Sequence, residues 1–373
     1  MVDASSTSTF EEFRDALGDG ARRRALLFRG GRPFFVLMSQ QFSRDELEQL
    51  CDTATAIRRL DRHRDGREFL LGMLRGQRVM NLFAQPSTRT AQSFIAAAEK
   101  LGATSQLVSD LRTSSFAKGE SVADAVRTLS SFFDAIVVRH PDDEFALAAA
   151  WALHRSNRPI PVISAGSGKS QHATQSLLDI YTLGYSFERR GGVDGKRILI
   201  VGDVARNRAA RSLALLLTKF RPAAIHFASP RAFAPDDELL GYLRRHEIGV
   251  ELSDGLETLL HAKGRDIDAI YMTRAQKEWD ADGVVQGGEP GADSAYVLRS
   301  EYRRLVRPDC VIMHPLPRIN ELPESWDDHP GFVVWRQVRN GMWMRAALFA
   351  AVHGADQEIR ARAKRLGLID FAR

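Results

Sequence analysis

Phe83-Ala84-Gln85-Pro86-Ser87-Thr88-Arg89-Thr90 joins two stretches of different periodicity. Before it, Gln77-Arg78-Val79-Met80-Asn81-Leu82-Phe83 reads as a short, mostly apolar strand. After it, Ala91, Phe94, Ile95 and Ala98 recur at i, i+3, i+4 and i+7, the pattern of an amphipathic helix. Pro86 stops the strand, Ser87 is a natural N-cap, and Gly102 stands where a left-handed C-terminal cap is expected. The segment thus sets backbone N–H groups, three hydroxyls and a guanidinium at the positive end of a helix dipole. Such an arrangement can bind phosphate without a glycine-rich loop. The dipole contributes only about 0.3–1 kcal/mol, so Arg89 and the hydroxyls must supply most of the grip. Taken alone, S-T-R-T also fits an ordinary capped helix with a surface arginine; the rest of the chain decides.

A chain of 373 residues suits two domains, each able to bury its own core. Hydrophobic content of 44% and charged content of 27% are those of an ordinary globular protein. The net charge of +5 fits either nucleic acid or an anionic small substrate. Arg22-Arg23-Arg24 and Arg303-Arg304 are short and lack interleaved aromatics, so they read as solvated faces and no nucleic acid is expected. Cys51 and Cys310 lie far apart without a C-x-x-C spacing, which points to neither a disulfide scaffold nor a metal site. Met1–Arg14 lacks the apolar core of a secretory signal, and no apolar run has the length to span a bilayer. A cytoplasmic protein without a membrane partner is expected.

Residues 1–35 read as an N-terminal extension, part of it expected to be disordered. A helix should begin at Ser43, where Ser43-x-x-Glu46 has capping-box spacing. Beyond the S-T-R-T junction, strands are expected at Ser105–Val108, Ala135–Val138 and Pro161–Ser164, alternating with helices. The last strand should open into the loop Ala165–Ser170, with a helix from about His172 to Leu183. Gly191-Gly192-Val193-Asp194-Gly195 marks a domain boundary, after which strands at Arg197–Val201, Ile225–Phe227, Ile270–Met272 and Val311–Met313 again alternate with helices. One long closing helix is expected from Met342 onward. The fold class is α/β, with two doubly wound parallel-sheet domains. The limits read as 36–184 for the first domain, 185–340 for the second, and 341–373 for a helix packing back on the first. Ligands in such sheets sit beyond the carboxyl ends of the strands, where Ser87–Thr90, Arg139, His172, Arg274 and His314 all fall.

Ile163-Ser164-Ala165-Gly166-Ser167-Gly168-Lys169-Ser170 comes near the phosphate-loop pattern G-x-x-x-x-G-K-[ST] but has Ile163 at the first glycine. The ordered set is more specific: S-T-R-T at a helix start, Ser114-Ser115-Phe116-Ala117-Lys118, Val138-Arg139-His140-Pro141, Gln171-His172-Ala173-Thr174-Gln175, Tyr271-Met272-Thr273-Arg274-Ala275-Gln276-Lys277-Glu278, and His314-Pro315-Leu316-Pro317-Arg318. With these segments the chain, from about Phe42 to Ala351, resembles the aspartate/ornithine carbamoyltransferase family. Y-M-T-R-x-Q-K-E and H-P-L-P-R place it on the aspartate branch, since ornithine enzymes carry a cysteine where Pro315 stands.

The resemblance implies the carbamoyltransferase fold and transfer of a carbamoyl group from carbamoyl phosphate to the α-amine of aspartate, as in pyrimidine biosynthesis. It assigns Ser87, Thr88, Arg89 and Thr90 to the phosphate, with Thr90, Arg139 and His172 at the carbonyl oxygen. Gln175 and the backbone carbonyls of Leu316 and Pro317 take the carbamoyl nitrogen. Arg208, Arg274 and Gln276 hold the aspartate. Ser114 and Lys118 reach in from a neighbouring subunit, Lys118 touching both substrates, so a homotrimer with shared active sites is implied. No cofactor or metal is implied, and further assembly with regulatory chains or a dihydroorotase stays open. The chain departs from the family at Gln85, where a Glu is usual, and at Trp279, where an Arg is usual. Two rivals remain: the same chemistry on another amino acid such as ornithine, and a catalytically silent subunit that serves assembly.

Overall fold

The structure, a computed structural model, describes residues 8–109, 119–168, 170–275 and 296–369. Ser114, Lys118, Lys169, Gln276 and Trp279 therefore lie outside the described residues. The chain divides into two compact units, Met1–Thr174 with Asn340–Arg373, and Gln175–Arg339.

In the first unit, β1 (Phe28–Arg29) and β2 (Arg32–Pro33) form a small antiparallel hairpin. The main sheet contains β3 (Phe35–Val36), β4 (Arg78–Phe83), β5 (Thr104–Val108), β6 (Ala135–His140) and β7 (Val162–Ser167). Its order is β3-β7-β6-β4-β5, and every pairing is parallel. Val79–Phe83, Ala135–Val138 and Val162–Ser167 are buried throughout. These continuously buried runs mark strands covered on both faces. Ser43 caps the helix Arg44–Leu60 as its spacing predicts, with the Glu46 carboxylate accepting the Ser43 N–H at 2.8 Å. From Ser8 on, the extension is folded: helices Phe10–Ala16 and Gly20–Leu27 bury Phe13, Ala16, Leu26 and Leu27, and Arg14 reaches Glu144 at 3.0 Å.

Two expectations are corrected. Strand β7 runs on through Ser167 rather than opening into a loop at Ala165, because β6 continues to pair with it past an irregularity, His140 opposite Ser167. The closing segment is two helices, Val334–His353 and Asp356–Arg365. Gly354, with φ 77°, ends the first, and the Ala355 N–H donates to the Ala350 carbonyl across the break. Both pack on the first unit: Phe349 meets Phe94 edge-on with centroids 5.8 Å apart, and Arg360 donates to Thr53 Oγ1 at 2.7 Å.

The second unit holds β8 (Arg197–Val201), β9 (Ala224–Ala228), β10 (Val250–Ser253), β11 (Ala269–Met272) and β12 (Val311–Met313). All are parallel, in the order β10-β9-β8-β11-β12. Strand β10 escapes a reading based on apolar runs because it is a half-exposed edge strand. In each sheet the chain leaves a central strand in one direction and later returns on its other side. The reversal falls between β4 and β6 in the first sheet and between β8 and β11 in the second. Ligands of open α/β sheets bind at the carboxyl ends of the strands flanking such a reversal.

Candidate active site

The S-T-R-T segment leaves β4, the strand beside the reversal in the first unit, and opens the helix Thr88–Lys100. Ser87 occupies the N-cap position, yet its side chain caps no N–H; its hydroxyl donates to Thr90 Oγ1 at 2.9 Å. The first backbone N–H bound within this turn is that of Ala91, which donates to the Ser87 carbonyl at 3.0 Å. Among the described residues nothing accepts the N–H groups of Thr88, Arg89 and Thr90, and Arg89 makes no hydrogen bond or ion pair. Three N–H groups, clustered hydroxyls and an exposed guanidinium thus share one helix tip. That donor set fits a phosphoryl group.

Strand β6, on the other side of the reversal, ends in Arg139-His140. Arg139 pairs with Phe83, and its carbonyl accepts the Gln85 N–H at 3.3 Å. Its Nη1 donates to the Ala165 carbonyl at 3.1 Å, directing the guanidinium along the strand ends toward β7. The chain leaving β7 passes through Gln171, which accepts the Ser39 N–H at 2.8 Å, to His172. His172 is buried, with its Nδ1 3.5 Å from Thr174 Oγ1. The topology therefore carries Ser87–Thr90, Arg139 and His172 to one end of one sheet. The phosphate-loop reading of Ile163–Ser170 loses its basis, because Asp143 Oδ1 accepts the Ser170 N–H at 2.9 Å where an anion would otherwise sit.

In the second unit, Arg208 opens the helix Arg208–Leu217 after β8, and Arg274 follows β11. Asn207 caps that helix through the N–H groups of Ala209 and Ala210 at 3.0 and 3.2 Å, which fixes where Arg208 emerges. The Thr273 N–H donates to the Val201 carbonyl at 2.9 Å, so the ends of β8 and β11 stay side by side. Two arginines at one reversal suit a dicarboxylate.

Strand β12 ends at His314-Pro315-Leu316-Pro317, where Leu316 has φ 60° and the Leu316–Pro317 bond is cis. His314 Nδ1 accepts the Leu316 N–H at 2.8 Å, and its Nε2 lies 2.8 Å from Glu321 Oε1. Burial holds His314 below the ordinary imidazole range in spite of Glu321. The neutral ring therefore carries its proton on Nε2. Burial opposes ionisation of Glu321, but the bonds from His314 and the Ile319 N–H hold it below the usual carboxylate range.

Sequence reading missed one buried group here. Asp179 is fully buried and accepts from Tyr271 at 2.8 Å, Gln337 at 2.7 Å and Gln175 at 3.0 Å. Burial first, then the charge of Asp179, pushes the Tyr271 phenol well above its usual range, so it acts as a donor. The available signal was the spacing of Gln175 and Asp179, four residues apart on one helix and so on one face.

Comparison with known proteins gives the family of both sheets. Residues 36–184 match the carbamoyl-P binding domain of aspartate/ornithine carbamoyltransferase, and residues 194–352 match its Asp/Orn binding domain. The chain is 35% identical over 329 residues to aspartate carbamoyltransferase 1, chloroplastic, of Pisum sativum, covering 87% of this chain and 80% of the relative. It is 35% identical over 323 residues to the aspartate carbamoyltransferase catalytic subunit of Dichelobacter nodosus, covering 85% and 88%. Among solved structures, aspartate transcarbamoylase of Trypanosoma cruzi in complex with carbamoyl phosphate superposes with a TM-score of 0.75 at 30% identity, covering 85% of this chain and 95% of that one. The parallel sheets, the helix-tip donors and the matched domains lead to one conclusion: the chain belongs to the aspartate/ornithine carbamoyltransferase family.

Proposed function

We propose that the chain transfers the carbamoyl group of carbamoyl phosphate to the α-amine of L-aspartate, releasing N-carbamoyl-L-aspartate and phosphate. The observation that carries this reading is the helix tip at Thr88–Thr90, whose three N–H groups and Arg89 have no acceptor among the described residues. Ser87, Thr88, Arg89 and Thr90 hold the phosphate. Thr90, Arg139 and His172 donate to the carbonyl oxygen, on which negative charge builds as the amine attacks. Removing one such donor typically costs about 2.7–4 kcal/mol of barrier. The new N–C bond forms as the C–O bond to phosphate breaks, and the departing phosphate takes the proton that the amine loses. Gln175 and the Leu316 and Pro317 carbonyls accept from the carbamoyl nitrogen, while Arg208, Arg274 and Gln276 clamp the two carboxylates of aspartate. The scheme uses no cofactor or metal.

In this reading residues 36–184 form the carbamoyl-phosphate domain and 185–340 the aspartate domain. Ser114 and Lys118 complete the site of a neighbouring subunit in a cytoplasmic homotrimer. Among the described residues, no helix is long and apolar enough to cross a membrane. A product assay with carbamoyl phosphate and either aspartate or ornithine tests the acceptor: carbamoylated aspartate is expected, and Arg274→Ala should raise the Michaelis constant for aspartate at least tenfold, about the loss of one charge-assisted hydrogen bond. Aspartate kinetics unchanged by Arg274→Ala would remove the acceptor assignment and leave the phosphate site standing. Mixing an Arg89→Ala chain with a Lys118→Ala chain tests the shared site, because mixed trimers should regain activity that neither parent has.

A further inference from the structure

We propose that Asp179 is a positioning residue that sets the specificity for a carbamoyl group, orienting in one step both groups that accept from its nitrogen. This rests on the reading above, in which Gln175 and the turn at Leu316–Pro317 face that nitrogen.

A carboxylate can only accept hydrogen bonds. The Gln175 amide must therefore turn its NH2 toward Asp179 Oδ1, 3.0 Å away, and its Oε1 is left as the acceptor. The Gln337 amide is fixed in the same way. Its Nε2 donates to Asp179 Oδ1 at 2.7 Å, so its Oε1 is the atom that accepts the His314 N–H at 3.0 Å. His314 then accepts the Leu316 N–H at 2.8 Å. This last bond supports Leu316 at φ 60°, a left-handed conformation that costs a non-glycine residue energy and persists where its surroundings over-determine it. One buried anion thus polarises two branches, one ending at the Gln175 carbonyl oxygen and the other at the turn carrying the Leu316 and Pro317 carbonyls. Tyr271 donates to Oδ2 at 2.8 Å and keeps the carboxylate from rotating. Oriented acceptors reward an –NH2 group and give nothing to a methyl group of the same size, so they separate carbamoyl phosphate from acetyl phosphate.

The test measures binding of carbamoyl phosphate, acetyl phosphate and inorganic phosphate to the full chain by titration calorimetry. In Asp179→Asn, the new amide can donate to Gln175 and release it. Affinity for carbamoyl phosphate should fall about tenfold, the loss of one to two oriented hydrogen bonds. Acetyl phosphate and inorganic phosphate should change less than twofold. A parallel loss for all three ligands would reduce Asp179 to a structural role and overturn the proposal, as would an unchanged preference for carbamoyl over acetyl phosphate. If Asp179→Asn does not fold, Gln337→Leu serves instead, since it cuts one branch and leaves the carboxylate in place. Its carbamoyl preference should fall about threefold with phosphate binding intact, and an unchanged preference overturns the proposal. A native chain that shows no preference for carbamoyl phosphate would instead undo the functional reading itself, which keeps the two failures apart.

Discussion

His314, buried, and Glu321, partly buried, form a pair in which the imidazole Nε2 donates to Oε1 across 2.8 Å while Nδ1 accepts the Leu316 N–H. The ring is useful only when neutral, because protonation would turn Nδ1 into a second donor facing an N–H. Its folded-state pKa lies below the ordinary value, chiefly through burial. The resulting stability is complete above the unfolded-state pKa of about 6.5 and is lost as pH falls toward the folded-state value. The urea midpoint should therefore drop between pH 7.5 and pH 5.5. Glu321→Ala should cost about 1–3 kcal/mol at pH 7.5, since it leaves a buried donor without its acceptor. A midpoint indifferent to both changes would show that the pair does not hold the turn.

His226 offers the opposite case. It sits in the middle of β9, 1% exposed, with neither ring nitrogen in a hydrogen bond among the described residues and Glu251 3.4 Å from Nδ1. Burial, partly countered by Glu251, holds it below the usual imidazole range. His226→Leu should raise stability by about 1 kcal/mol at pH 7.5 and by more at pH 5.5, because the native imidazole resists the proton that the unfolded chain accepts. Denaturant titrations at the two pH values decide it; a less stable variant at pH 5.5 means that the ring gains a partner on protonation.

Arg89 separates binding from folding. Exposed, and without an ion pair among the described residues, it should contribute within about 0.5 kcal/mol to stability. Arg89→Ala should nonetheless weaken inorganic phosphate binding at least tenfold, the loss of a charge-assisted hydrogen bond. Calorimetric melting and phosphate titration on the same preparation test both halves. A large stability loss with phosphate affinity retained would return Arg89 to an ordinary surface role.

Gly102 ends the helix Thr88–Lys100, whose first turn holds Thr88, Arg89 and Thr90. It has φ 84°, and the Ala103 N–H closes the cap on the Ala98 carbonyl at 3.1 Å. A Cβ there would come within 1.9 Å of the Leu71 carbonyl oxygen. Gly102→Ala should destabilise by about 3 kcal/mol or more, combining the left-handed penalty with a backbone shift. Unfolding in urea measures it, and a loss below about 1 kcal/mol would mean that the helix end relaxes freely.

Sequence alone determined the alternation of buried strands and helices. Val79–Phe83, Ala135–Val138, Arg197–Val201 and Val311–Met313 declare themselves as short apolar runs, and Ser43, Pro86 and Gly102 punctuate them by local backbone chemistry. The helix tip with its cluster of donors was legible for the same reason, since Ser87, Thr88, Arg89 and Thr90 are neighbours in the chain. Tertiary structure decided what depends on distant partners. It set the strand order that brings Arg139 beside Phe83, the continuation of β7 to Ser167, and the bond of Ser87 to Thr90 in place of a cap. It also gathered Gln175, Tyr271 and Gln337 around Asp179, groups up to 158 residues from it along the chain. Beyond its spacing from Gln175, an Asp on a helix buried over most of its length carries no local mark of such a role. Only burial, by stripping water from the carboxylate, makes the donors around it obligatory and fixes the direction in which each amide points.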